Sequence, residues 1–157
     1  MAQEQLYGAF FQKQKTYYLE QLNYYEQGKR FRFNYASLIF GIFWFLYRKM
    51  YLEFFIIYAF YIIETTFENT ILIRLTGYEQ TKLVNFFVTI ILLVILGIIG
   101  NNLYIKKAKR TMRRAQAKFQ DIEKQKSFLA RKGGTTFIYV VLLVALYTCL
   151  IALRSMY

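Results

Sequence analysis

The sequence predicts an all-α integral membrane protein with three transmembrane helices. To these it adds an amphipathic N-terminal helix, a short re-entrant or interfacial aromatic segment and a basic cytoplasmic helical loop. Three observations lead there. Of 157 residues, 57% are hydrophobic and 20% aromatic, yet Lys and Arg number 21 against 9 Asp and Glu. The charges are segregated, with none between Val84 and Ile105 and none between Gly133 and Leu153. Uncharged runs of that length suit a hydrocarbon layer about 30 Å thick, whereas the helices of soluble domains keep a polar face.

Residues 1–33 form the first unit. Tyr7, Phe11, Tyr18, Leu22 and Tyr25 recur at helical spacing, with Gln, Lys, Glu and Asn between them. Such a face either lies on a membrane surface with its tyrosines among the headgroups or docks a partner protein. The first residues hold no apolar core and no small-residue cleavage site, so no removable signal peptide is expected, and no lipidation motif is seen.

Residues 34–157 form the membrane domain. Leu38 to Tyr47 is uncharged and apolar but stops at Arg48-Lys49. A helix of that length covers only about half of a hydrocarbon core. Residues 50–73 are the first span, although they include Glu64 and Glu68; residues 83–105 are the second and 135–153 the third.

Charge asymmetry then sets the orientation. Residues 1–49 carry seven Lys or Arg and residues 106–132 carry eleven, whereas the 74–82 loop holds only Arg74 and Lys82 and the tail only Arg154. Cytoplasmic loops are the basic ones, so the N-terminus and 106–132 belong inside, and the 74–82 loop and C-terminus outside. An even number of crossings must separate Lys49 from Lys106, and the first two spans supply it. The 34–49 stretch is therefore expected to enter and leave on the cytoplasmic side, with Gly41 as its bend.

In the basic loop, Ile105, Ala108, Met112, Ala115, Phe119, Ile122, Lys126 and Leu129 alternate by threes and fours. That predicts a helix with one apolar stripe that continues the second span and ends at Gly133-Gly134. It either lies flat on the membrane or folds back near Gln120-Asp121.

Three islands, "FNYASLIFGIFWFLYRKMY" (33–51), "GNNLYIKKAKR" (100–110) and "RKGGTT" (131–136), together resemble an uncharacterised family of small bacterial inner-membrane proteins, domain of unknown function 2628. Asn34, Gly41, Trp44, Tyr47, Arg48, Lys49, Met50, Tyr51, Asn102, Tyr104, Gly133, Gly134 and Thr135 match its pattern. Tyr35, Ser37 and Ile42 depart from it, the last in place of the usual proline, which leaves Gly41 to make the bend. The resemblance implies a bacterial inner-membrane location and no particular activity.

The absence of histidine and the single aspartate, Asp121, count against zinc sites and Ser-His-Asp catalysis. No cofactor and no metal is expected. Trp44, Tyr47, Arg48, Lys49 and Tyr51 form a candidate contact for a phosphate headgroup or a partner, against the ordinary reading of an aromatic belt with a snorkelling cation. Glu64 and Glu68, with Asn69, share a helix face and are an intramembrane polar site for a proton or cation. Alternatively they sit at the outer interface and pair with Arg74. Lys106, Lys107, Lys109, Arg110, Arg113, Arg114 and Lys118 form a basic face for anionic lipid or a partner, with nucleic acid disfavoured. Met112, Ala115, Phe119, Ile122 and Leu129 form a candidate interaction stripe. At least one of Asn85, Asn101 and Asn102 is expected to bond between helices, "GIIG" at 97–100 to allow close packing, and Cys149 to fill space.

Two sticky faces and the lack of catalytic residue types point to a non-enzymatic accessory or scaffold subunit of a larger inner-membrane assembly. Its partners would be anionic lipid headgroups and a membrane protein or a second copy. The alternative is a small homo-oligomeric transport or pore component that uses Glu64 and Glu68.

Overall fold

A computed structural model describes residues 2–29, 32–143, 145 and 148, without the side chains of 2 and 69. Among these residues every regular element is helical. The N-terminal unit is two helices, α1 (Ala2–Phe11) and α2 (Lys15–Glu26), rather than one. Gln12 and Gln14 take left-handed backbone angles and break the periodic stretch between them.

The aromatic segment is also split, into α3 (Tyr35–Phe40) and α4 (Ile42–Tyr47). Asn34 caps α3 by accepting from the Ser37 amide at 3.0 Å, which satisfies one of the free amides of its first turn. Gly41 lies at φ +53°, in the left-handed region that favours glycine, so it does make the bend.

Helix α5 (Tyr51–Phe67) runs through a π-helical turn (Glu68–Leu72) into α6 (Ile73–Thr76), and Gly77 turns the chain into α7 (Tyr78–Lys118). The stretches Tyr51–Thr76 and Tyr78–Lys118 are long and apolar enough to cross a membrane. Phe55, Ile56, Ile63, Phe86 and Ile91 on them are exposed, the opposite of helices buried in a soluble core. A further helical stretch covers residues 138–143. The rest of the third expected span, with Cys149 and Arg154, lies outside the described residues, apart from 145 and 148.

The aromatic segment dips along α7 and returns. The Asn34 amide donates to the Gly97 carbonyl at 2.9 Å, and Ser37 Oγ to the Leu96 carbonyl at 3.0 Å. Gly41 then lies against Leu93, whereas the carbonyls of Arg48 and Lys49 are back at the level of Lys107. The small residues of "GIIG" admit this approach. A Cβ on Gly97 would collide with the Phe33 ring, and one on Gly100 would press on Ser37. The close packing at these glycines is therefore within the chain.

Helix α7 continues unbroken through the basic residues to Lys118, about 62 Å of helix. Phe119 is extended, and the chain folds back at 119–121 into α8 (Ile122–Lys132), whose first turn is capped by Asp121. Of the two expected geometries the hairpin is the one found. It corrects the reading of both sticky faces as free. Ala108, Met112, Ala115 and Leu129 are buried, Phe119 is half-buried against Phe128, and only Ile122 of the stripe is exposed. Their cover is the N-terminal unit. Tyr7, Phe10, Phe11, Tyr18 and Leu22 are buried in the same core, with α1 packed on α8 and α2 on α7. Two amphipathic faces of one chain have buried each other, at about 1.5–3 kcal/mol for each large side chain fully covered.

The double glycine is where this docking is tightest. The Gly134 amide donates to the Phe10 carbonyl at 2.8 Å, and a Cβ on Gly133 would lie 2.1 Å from that oxygen. Gln12 Nε2 reaches the Ala130 carbonyl at 2.7 Å from the same side.

Candidate functional site

Helix α4 ends at Tyr47, and Lys49 takes φ +55° so that the chain can reverse into α5. A helix end leaves carbonyls without partners. Here Lys107 Nζ of α7 donates to the Arg48 and Lys49 carbonyls at 2.9 and 2.8 Å, placing a cation at the negative end of the α4 dipole. Lys107 lies just beyond the apolar stretch of α7. Burial lowers its pKa to about 8, with the Glu53 carboxylate acting in the other direction.

Arg48, expected to face headgroups or a partner, is buried within the chain, with 2% of its surface exposed. Its guanidinium lies 4.6 Å from the Tyr18 ring centre, 5.1 Å from Tyr104 and 5.6 Å from Tyr47. One Nη donates to Gln14 Oε1 at 2.8 Å, while Nε, Nη1 and the Tyr104 hydroxyl make no hydrogen bond among the described residues. With no carboxylate at hand, the faces of the three rings hold this charge. The burial that encloses it also raises the Tyr18 phenol above its ordinary range, against the pull of the Arg48 charge.

Of the other members of the expected contact, Tyr47 and Lys49 are half-buried and Tyr51 stays exposed. Trp44 is buried edge-on against Phe45 and Tyr104. Tyr47 packs on Phe137 with ring centres 4.6 Å apart, and Tyr51 meets Tyr139 edge-on at 5.2 Å. Lys49 Nζ donates to the Arg131 carbonyl, and the Thr136 amide to the Tyr47 carbonyl at 2.9 Å. The three recognisable islands thus meet in space. Asn34 donates to Asn101 at 3.0 Å, and Asn101 donates to Tyr17 Oη and the Arg32 carbonyl.

The basic face divides. Lys109 turns to α2, where it lies 3.6 Å from a Glu26 oxygen and over the Tyr25 ring. Lys106 and Arg113 are exposed, and Lys118 lies over Phe119. Lys107, Arg110 and Arg114 turn the other way. With Lys49, Arg131 and Lys132 they line a cleft of about 500 Å³ between α7, α8 and the start of the 138–143 helix. Sequence reasoning did not bring Arg131 and Lys132 to this face. The three-then-four spacing of 107, 110 and 114 was the available sign of one shared side.

Glu68 is buried and accepts a hydrogen bond from Asn85 of α7, and half-buried Glu64 accepts one from Thr65. Arg74 is exposed and pairs with neither among the described residues. The side chain of Asn69 lies outside them. Among the described residues no three His, Cys, Asp or Glu come together to hold a metal.

Because a lysine cannot stack across three rings, Arg48→Lys is expected to lower stability in detergent by about 1–2 kcal/mol. Tyr104→Phe keeps the ring that carries the charge and loses only the hydroxyl beside Arg48, and is expected to change stability by less than about 1 kcal/mol. Thermal unfolding checks both, and an Arg48→Lys protein as stable as the parent would contradict the cation–π assignment.

No curated protein and no solved structure matches the chain. One family does: the profile described as protein of unknown function (DUF2628) matches residues 8–110, from within α1 to the basic turn of α7. That match covers more than half of the chain and includes both Arg48 and Lys107. The chain belongs to this family of proteins of unknown function.

Proposed function

We propose that the protein is a non-enzymatic accessory or scaffold subunit of a larger assembly in the bacterial inner, cytoplasmic membrane, and that it contacts anionic lipid. In this reading it crosses three times. Residues 34–49 form a re-entrant segment on the cytoplasmic side, the N-terminus and the basic hairpin are cytoplasmic, and the C-terminus is outside. One observation carries the proposal: α7 is a single rod with an exposed apolar belt at one end and the crowded cations at the other. Such a rod fits a lipid layer with its charges at one headgroup surface. The two amphipathic faces cover each other, so a protein partner is left the outward faces of the spans. Solubilisation of native membranes in mild detergent followed by affinity capture is expected to bring down a membrane protein in a fixed ratio. Recovery of free monomer alone would contradict the proposal.

A second reading rests on Glu68, a carboxylate buried between two candidate spans and bonded to Asn85. Ionisable groups so placed suit ion or proton passage, and π-helical turns often accompany function. The protein would then be a small homo-oligomeric transport or pore component. This predicts proton or cation flux into proteoliposomes that is lost in Glu64→Gln/Glu68→Gln; flux that survives the double change removes its chemical basis.

A further inference from the structure

The basic cleft does not stand alone. Two of its cations are committed to the fold, since Lys107 and Lys49 donate to backbone carbonyls. Arg110 lies 3.9 Å from a Glu53 oxygen. Arg114, Arg131 and Lys132 pair with no carboxylate among the described residues, although all three line the same cleft. Orientation in a membrane needs only a number of positive charges on one side. It does not need them facing one another across a concave surface, where they repel. An anion in the cleft relieves that repulsion, and guanidinium groups offer a phosphate paired hydrogen bonds.

Beside the cleft lies an apolar groove of about 540 Å³, lined by Leu46, Phe54, Phe55, Leu142 and Leu143. Tyr51 and Tyr139 line both, so their ring pair is the boundary between the charged half and the apolar half. Tyrosines with a polar tip and an apolar body occupy that position at a headgroup level. A free phosphate compound fills only the first half. A molecule with a phosphate at one end and a hydrocarbon chain at the other fills both.

We infer that this composite site binds an anionic phospholipid, its phosphate against Arg114, Arg131 and Lys132 and an acyl chain along Phe54, Phe55 and Leu142. The inference rests on the lipid-contact part of the proposed function and gives it one site. Basic pockets at the ends of membrane helices take anionic headgroups by the same physics.

The test uses the purified full-length protein in neutral detergent, titrated with phosphatidylglycerol, phosphatidylcholine or glycerol 3-phosphate. Bound ligand is read by native mass spectrometry and by the shift in unfolding temperature. Phosphatidylglycerol is expected to bind at least about tenfold more tightly than either of the others. Arg114→Gln/Arg131→Gln/Lys132→Gln is expected to lose at least about that factor. Lys13→Gln/Lys29→Gln/Lys124→Gln removes as much charge outside the cleft and outside the basic face of α7, and is expected to change binding by less than about twofold. An equal loss in both triple variants would overturn the site in favour of diffuse attraction. Glycerol 3-phosphate binding as tightly as the lipid would overturn the phospholipid in favour of a soluble phosphate. Because the titration contains no other protein, its failure leaves partner capture from membranes unaffected, and the reverse also holds.

Discussion

The turn at Arg48-Lys49 is the constraint around which the rest of the chain is arranged. A short helix ends there, with carbonyls to satisfy and a buried guanidinium to enclose. Lys107 serves the carbonyls from α7, while tyrosines from α2, α4 and α7 surround the charge. The same few residues hold the Arg131 carbonyl through Lys49 and the Thr136 amide through Tyr47. Five parts of the sequence converge on a reversal of three residues. An unpaired buried charge is costly, so each ring and carbonyl that meets it has reason to stay in place.

Much of this architecture was legible in the sequence. The charge-free run at 84–105 announced α7, because an apolar surface on every side has few environments that accept it, and α5 was read from its apolar length in spite of Glu64 and Glu68. Gly41 announced the bend, since the left-handed angle there suits a residue without a side chain. The apolar stripe of the basic loop announced a helix through its three-and-four spacing. What stayed hidden was the partner of each face. Periodicity says that Met112, Ala115 and Leu129 share an apolar side; it does not say that Phe10 and Phe11 will cover it. The hairpin at 119–121 was one of two open geometries for that reason, because it is decided by docking onto α1 and not by local preference.

Arg48 was hidden for a different reason. An arginine among aromatic residues at the end of an apolar run reads alike whether it snorkels to headgroups or lies inside a box of rings. The two differ only in tertiary burial. Arg114, Arg131 and Lys132 show the converse. Their charge was plain, but their convergence needed α8 to return along α7. The cations that remain exposed around a cleft are therefore not those nearest the aromatic motif. Likewise the small face at Gly97 and Gly100, a familiar sign of helix pairing, meets residues 33–37 of its own chain.

If the Arg48 turn joins these elements, they should loosen together. Hydrogen exchange followed by mass spectrometry on Lys107→Met is the most direct measurement, since the change removes the two carbonyl bonds and keeps an apolar stem of similar length. The account predicts that protection falls together in residues 7–22, 42–50 and 129–136, which are distant in sequence. A loss confined to the turns of α7 around position 107 would contradict it.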